Sequence, residues 1–392
     1  MNIRQVIAGL FGAGLVLAAA SAGAQDIPRA TILDLPLSAA EKAGLAPSLN
    51  HRGDAGNHIH ILPTHEGHRA RVKYGLAAGQ AGTVQLTYHG GAVMNPKVSA
   101  GPQPNLEIYT IFWLPSTGKL QNGAATSMAG NFRSVINAMA QGLISNHLAG
   151  TATQYYQNTT SQTVVNQGGL AGTYLDTNAY PASACTDTVT PGNCLSDAQI
   201  RNEIKAVMKK AGWVPGQNKI YMMYTSSGQG SCFSATSCAY TAYCAYHSSF
   251  NATIGTATGA VIYANMPYGD PSHCMNPGQP TPNAVAGGVN YGPYADITAS
   301  VATHEIMEAI TDPFGNAWYD SAGNENGDKC SWNFGANVYS SPAANQYYRS
   351  NPYPSPVFVT GYPATYFAFQ QEWSNAANAA GQTGCVQYYY NN

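Results

Sequence analysis

The period of the apolar positions changes along the chain, and each change marks an element. Val84–His89 alternates and predicts a strand that stops at Gly90-Gly91. Leu106–Leu114, LEIYTIFWL, predicts a second strand. Between Met128 and His147, the residues Phe132, Val135, Ile136, Met139 and Leu143 recur at helical spacing. Thr163–Asp176 reads as one or two strands around Gly168-Gly169. Leu195–Gly212 predicts a helix with Ser196 as N-cap, an apolar face of Ile200, Ile204 and Val207, and Glu203 beside lysines. Lys219–Tyr224, Ala242–His247 and Ala257–Asn265 predict further strands, and the Tyr- and Pro-rich tail Tyr347–Tyr390 carries short ones such as Tyr366–Gln371. Helices and strands interleave without a repeat. The fold class is therefore α/β or α+β, a mixed sheet with packed helices.

The stretch with the most chemistry is Ala299–Cys330. It opens in a helix, with Asp296 as N-cap and Pro313 forcing a stop near Asp312. At about 100° per residue, His304, Glu308 and Asp312 share one stripe, while Ala299, Ala302, Ile306 and Ile310 form an apolar stripe opposite. His at i and Glu at i+4 can hold one metal ion, and Glu305 between them can serve as base. This is HExxH logic with Glu in the second His position, and the element resembles a zincin site helix. A catalytic zinc needs a third protein ligand. Asp312 lies about 12 Å along the axis from His304, and Asp320 reads as a solvated turn residue. Asp328, then Glu325, are the expected third ligands, one of them ligating while the other orients His304. His247 and His89 read as buried histidines bonded to backbone.

Only 9% of residues are charged and the net charge is −2. No basic field recruits nucleic acid or an anionic membrane. Residues 1–24 read as a signal peptide: Arg4, an apolar run Val6–Ala20, and the cleavage site Ala22-Gly23-Ala24. No later stretch is long and apolar enough to span a bilayer. Residues 25–83 have little periodicity and read as an irregular N-terminal extension, although five of ten histidines lie there: His51, His58, His60, His65 and His68. In His65-Glu66-Gly67-His68 the glycine opposes a helix. Residues 84–392 form one domain.

Eight cysteines in an exported chain predict disulfide-stapled loops. Cys185–Cys194 would close a local loop, and Cys330–Cys385 would join the post-helix loop to the C-terminus. Cys232, Cys238, Cys244 and Cys274 allow three pairings; 232–238 with 244–274 is the preferred one.

Several motifs together resemble the phosphate-induced protein 1, or EXORDIUM-like, family. They are Tyr88-His89-Gly90-Gly91 before LEIYTIFWL; Leu195-Ser196-Asp197 before KIYMMYTSSG; and Cys244-Ala245-Tyr246-His247. HEIMEAITDP then precedes Asn316-Ala317-Trp318-Tyr319 and Asp328-Lys329-Cys330, and the series closes with Trp373-Ser374-Asn375 and Gly384-Cys385-Val386. The resemblance spans residues 84–392. It implies a secreted protein associated, in plants, with the cell wall; Asp312-Pro313 stands where the plant pattern has Asn-Pro, and the chain looks like a bacterial-type member.

Two functions are expected to compete. One is a zinc-dependent, peptidase-like hydrolase in which His304 and Glu308 bind Zn²⁺ and Glu305 is the base. The other is a non-catalytic extracellular or periplasmic protein that binds a peptide or a cell-wall glycan and keeps a structural ion. The extra carboxylate of Glu308 would favour Ca²⁺ in that case.

Overall fold

The structure is a computed structural model that describes residues 48–73, 84–115, 132–144, 147–286, 289–290, 292–334 and 367–386. The predicted signal peptide and most of the Tyr-rich tail, including Tyr366, lie outside the described residues.

Seven strands form one mixed sheet. They are β1 (Asn50–Arg52), β2 (His58–Pro63), β3 (Leu106–Trp113), β4 (Gly168–Asp176), β5 (Lys219–Thr225), β6 (Tyr243–Ile254) and β7 (Ala257–Met266). Their spatial order is β1-β2-β6-β7-β5-β3-β4. The β7, β5, β3 and β4 ladders are parallel, and those joining β1, β2, β6 and β7 are antiparallel. The parallel strands read as continuous apolar runs because both their faces are covered: KIYMMYT of β5 is buried from Ile220 to Thr225.

The longer helices among the described residues are α1 (His65–Lys73), α2 (Phe132–Leu143), α3 (Asp197–Ala211) and α4 (Tyr294–Thr311). In β6, Tyr246 and His247 point to opposite faces, as a strand requires. Tyr246 donates to Asp197 at the start of α3, whereas His247 meets Glu305 of α4. Helices α3 and α4 therefore cover opposite faces. Ser196 caps α3 with a full capping box, as its sequence predicts.

Four disulfides join Cys185–Cys194, Cys232–Cys238, Cys244–Cys274 and Cys330–Cys385. No helix among the described residues is long and apolar enough to cross a membrane.

The sequence expectations need five corrections. The 25–83 segment is not irregular throughout, because β2 is an interior strand with β1 on one side and β6 on the other. Its signal, HIHILP, alternates imidazole and apolar groups, and the imidazole positions look solvent-facing until His60 proves fully buried. Helix α1 forms across Gly67, whose N–H is held by the Thr64 hydroxyl. Asp296 lies inside the first turn of α4 rather than at its cap, where it accepts from Asn283. Phe367–Gln371 is not strand; pairing starts at Glu372, against Val386. Finally, the polar stripe of α4 is as buried as the apolar one opposite it: every residue from Ala295 to Thr311 is buried.

Candidate metal centre

Strand register builds the floor of the site. His60 of β2 and His247 of β6 are direct partners across the antiparallel ladder, so both rings leave the same face, with centroids 5.5 Å apart. Helix α4 lies over them and supplies His304, Glu305 and Glu308. The loop after α4 returns beneath it with Glu325 and Asp328. All seven side chains are at most 4% exposed.

Two hydrogen-bond chains fix which ring nitrogens are protonated. The Asn50 amide donates Nδ2 to the Gly323 carbonyl at 3.0 Å, which turns its Oδ1 toward His58 Nε2 (2.8 Å) and His60 Nδ1 (3.0 Å). His60 therefore carries its proton on Nδ1 and presents the Nε2 lone pair to the centre. That atom is 2.7 Å from Asp328 Oδ2 and 3.7 Å from Glu308 Oε2. A lone pair that close to a carboxylate oxygen needs either a proton or a metal ion between the two atoms.

His304 is oriented the other way. Gln370 donates Nε2 to the Gly327 carbonyl at 3.0 Å, and its Oε1 accepts from the Trp332 N–H at 3.3 Å. The same Nε2 lies 2.8 Å from His304 Nδ1. Nδ1 is thus an acceptor, and the ring proton sits on Nε2, which faces Glu308 Oε1 at 3.1 Å. Trp332 adopts a left-handed φ of 61° to present its N–H, a strained conformation of the kind that collects at functional sites. Glu308 Oε1 also accepts from the Asp328 N–H at 2.9 Å. Gly327 must be glycine here, because a Cβ would lie 2.7 Å from His304 Nδ1 and 2.9 Å from Glu308 Oε1.

On the far side, His247 Nδ1 lies 3.1 Å from Glu305 Oε2 and 3.7 Å from Glu308 Oε2. Glu325 stands behind both strand histidines, 3.2 Å from His60 Nδ1 and 3.7 Å from His247 Nε2.

Several atoms at the centre have no hydrogen-bond partner although they are buried: Glu305 Oε1, Glu308 Oε2, Glu325 Oε2, Asp328 Oδ1, His247 Nε2 and His304 Nε2. Orphaned buried carboxylate oxygens are costly, and buried charges are normally paired or bound to metal. Burial lowers the His304 imidazole to about 3 against the pull of Asp328, and the His247 imidazole to about 4 against the pull of Asp312 and then Asp328. Burial also raises Glu305, Glu308 and Glu325 well above the usual carboxylate range, with neighbouring carboxylates adding to it. Neutral imidazoles among carboxylates form a donor set for a divalent cation. Two triads bring their ligand atoms within 4.8 Å of one another: His60, Glu308 and Asp328, and His247, Glu305 and Glu308.

All five residues expected at the site from the sequence converge here. His304, however, belongs to neither triad. Asp328 is the close partner of His60, and Glu325 lies behind the strand histidines rather than beside His304. His247 is buried against the Asp312 backbone, as expected of a structural histidine, and it also faces Glu305 and Glu308. His89 lies outside the centre and is exposed rather than buried, although its Nε2 does lie 3.2 Å from the Tyr319 carbonyl and its ring stacks on Tyr319 at 3.6 Å. Asp320 is not solvated: it is buried and pairs with Lys329 at 3.4 Å. His60, Asn50 and Gln370 escape sequence reasoning, and only the alternation in HIHILP signals His60.

In comparisons with known proteins, no family model, no curated protein and no solved structure matches this chain.

Proposed function

We propose that this chain is an exported metalloprotein whose buried centre holds a divalent cation on His60, Glu308 and Asp328. One observation carries the reading. The His60 lone pair, fixed by Asn50, points at Asp328 Oδ2 from 2.7 Å, with Glu308 Oε2 orphaned beside it. An imidazole donor favours Zn²⁺ over Ca²⁺, which prefers oxygen ligands alone. The ion would lock β2, α4 and the post-helix loop together, as a structural site does. The EXORDIUM-like reading fits this arrangement, since the motif segments ending in His247, containing HEIMEAITDP and ending in Cys330 all meet at the centre. A peptide or cell-wall glycan as partner is part of the same proposal.

A second reading, the peptidase-like hydrolase, is favoured by a cavity of about 560 Å³ lined by Asn50, His51, Arg52, His58, Phe314 and Asn316, among others. Asn50 Oδ1 links the wall of this cavity to His60. A cation at the centre would supply Lewis acidity, and Glu305 would hold the proton.

Elemental analysis of the purified protein, with and without a chelator, tests the first reading: stoichiometric zinc supports it and a metal-free folded protein rejects it. Chelator-sensitive cleavage of a peptide library that Glu305→Gln abolishes would favour the hydrolase.

A further inference from the structure

We infer that the centre is dinuclear, with Glu308 as the bridging ligand between two transition-metal ions. The inference rests on the metal reading above and goes one ion beyond it.

The two triads share only Glu308. Its two oxygens have divided roles. Oε1 is taken by the Asp328 N–H and faces the protonated Nε2 of His304. Oε2 is unpartnered and lies 3.7 Å from both His60 Nε2 and His247 Nδ1. It therefore sits midway between two imidazoles that the β2–β6 register has set side by side. Each imidazole has its own second carboxylate: Asp328 Oδ2 at 2.7 Å for His60, and Glu305 Oε2 at 3.1 Å for His247. Two equivalent half-sites result, each with one nitrogen, one private carboxylate and the shared oxygen.

The outer groups repeat the same symmetry. Glu325 faces the rear of both rings, with Oε1 3.2 Å from His60 Nδ1 and Oε2 3.7 Å from His247 Nε2, the second beyond direct hydrogen-bond distance. A carboxylate behind a ligating imidazole orients the ring and raises its basicity. A single carboxylate spanning two such rings has no use in a one-ion site, where one histidine would be idle.

Charge counting favours more than one ion. Glu305, Glu308, Glu325 and Asp328 are buried together, with Asp312 and Glu372 buried beside them. One divalent ion offsets at most a third of the charge these six can carry, and two offset at most two thirds. The nearby cations are already committed: Lys329 to Asp320, and Arg71 to Asn324 with longer-range attraction to Asp328 and Asp320. The donors, imidazole with carboxylate, suit Zn²⁺, Mn²⁺ or Co²⁺, and carboxylate-bridged pairs of this kind stand about 3.5–4 Å apart.

The test is the stoichiometry of Co²⁺ bound by the full chain after chelator treatment and dialysis, followed by low-temperature electron paramagnetic resonance. The expected result is two ions per chain with exchange coupling between them. His247→Gln should then bind one ion and lose the coupling, and Glu308→Gln should lose both. One ion in the wild-type protein overturns the dinuclear centre and leaves the single-ion reading standing. Two uncoupled ions, or a second ion that survives in a folded His247→Gln variant, also overturns it. No bound ion overturns both readings. The wild-type count and coupling need no variant, so a misfolded mutant does not shield the inference.

Discussion

His60 and His247 are register partners on adjacent antiparallel strands, and their rings, 5.5 Å apart, face the carboxylates of a single helix. A one-residue slip of β2 would send His60 to the opposite face of the sheet. The apolar neighbours Ile59, Ile61 and Leu62 hold that register because they are fully buried. Adding Zn²⁺ to chelator-treated protein should therefore stabilise the fold. At a hundredfold excess over the dissociation constant the gain is about 2.7 kcal/mol, read as a rise of several degrees in the melting temperature. The rise should disappear in His60→Gln.

Gln370 sets the tautomer of His304 through two backbone groups. In ¹⁵N-edited spectra His304 should show a protonated Nε2. Gln370→Leu should release that preference and produce mixed tautomers, with a stability loss of roughly 1 kcal/mol for the hydrogen bond. An unchanged spectrum would refute the assignment.

Gly327→Ala forces a methyl group against His304 and Glu308. Overpacking a buried site costs about 1–3 kcal/mol, and here it also displaces Glu308. The variant should lose metal before it loses the fold, seen as a lower metal content at a temperature where circular dichroism is unchanged.

Cys330 follows Asp328 by two residues, and its bridge to Cys385 closes a separation of 55 residues. Replacing both by Ser should cost about 4 kcal/mol on the chain-entropy account and loosen the loop that carries Asp328. Thiol titration of the unfolded, unreduced protein should find none along the chain, as all eight cysteines are paired.

Asp296 gives a pH dependence separate from the metal centre. Burial raises its carboxyl to about 7, partly offset by the side-chain and backbone N–H groups of Asn283. The folded state therefore holds a proton that the unfolded state has already released, between the ordinary aspartate value of 3.8 and about 7. Stability should fall as pH rises through that window and level off above it. Asp296→Asn should flatten this part of the stability–pH curve; an identical slope in the variant would contradict the assignment.

The elements with unmixed periodicity were legible in the sequence. The α3 helix, capped by Ser196, and the apolar strands β3, β5 and β7 follow from spacing and composition alone. The helix of His304 was legible as well, together with the return of Glu325 and Asp328 to it. What the sequence hid was long-range. His60 lies 187 positions before its register partner His247, and alternation marks a strand without naming its neighbour. Gln370 acts through a side-chain amide that carries no motif. The role of His304 could not be read either, because a ring's tautomer depends on Gln370, which is 66 residues away.

The most direct test of the central claim is anomalous diffraction at the zinc absorption edge from crystals of the protein grown with Zn²⁺. The account predicts anomalous peaks inside the cluster, within about 2.0–2.2 Å of His60 Nε2 and of a Glu308 oxygen. A well-ordered cluster with no anomalous peak, its carboxylates linked to one another and to the histidines by protons alone, would contradict it.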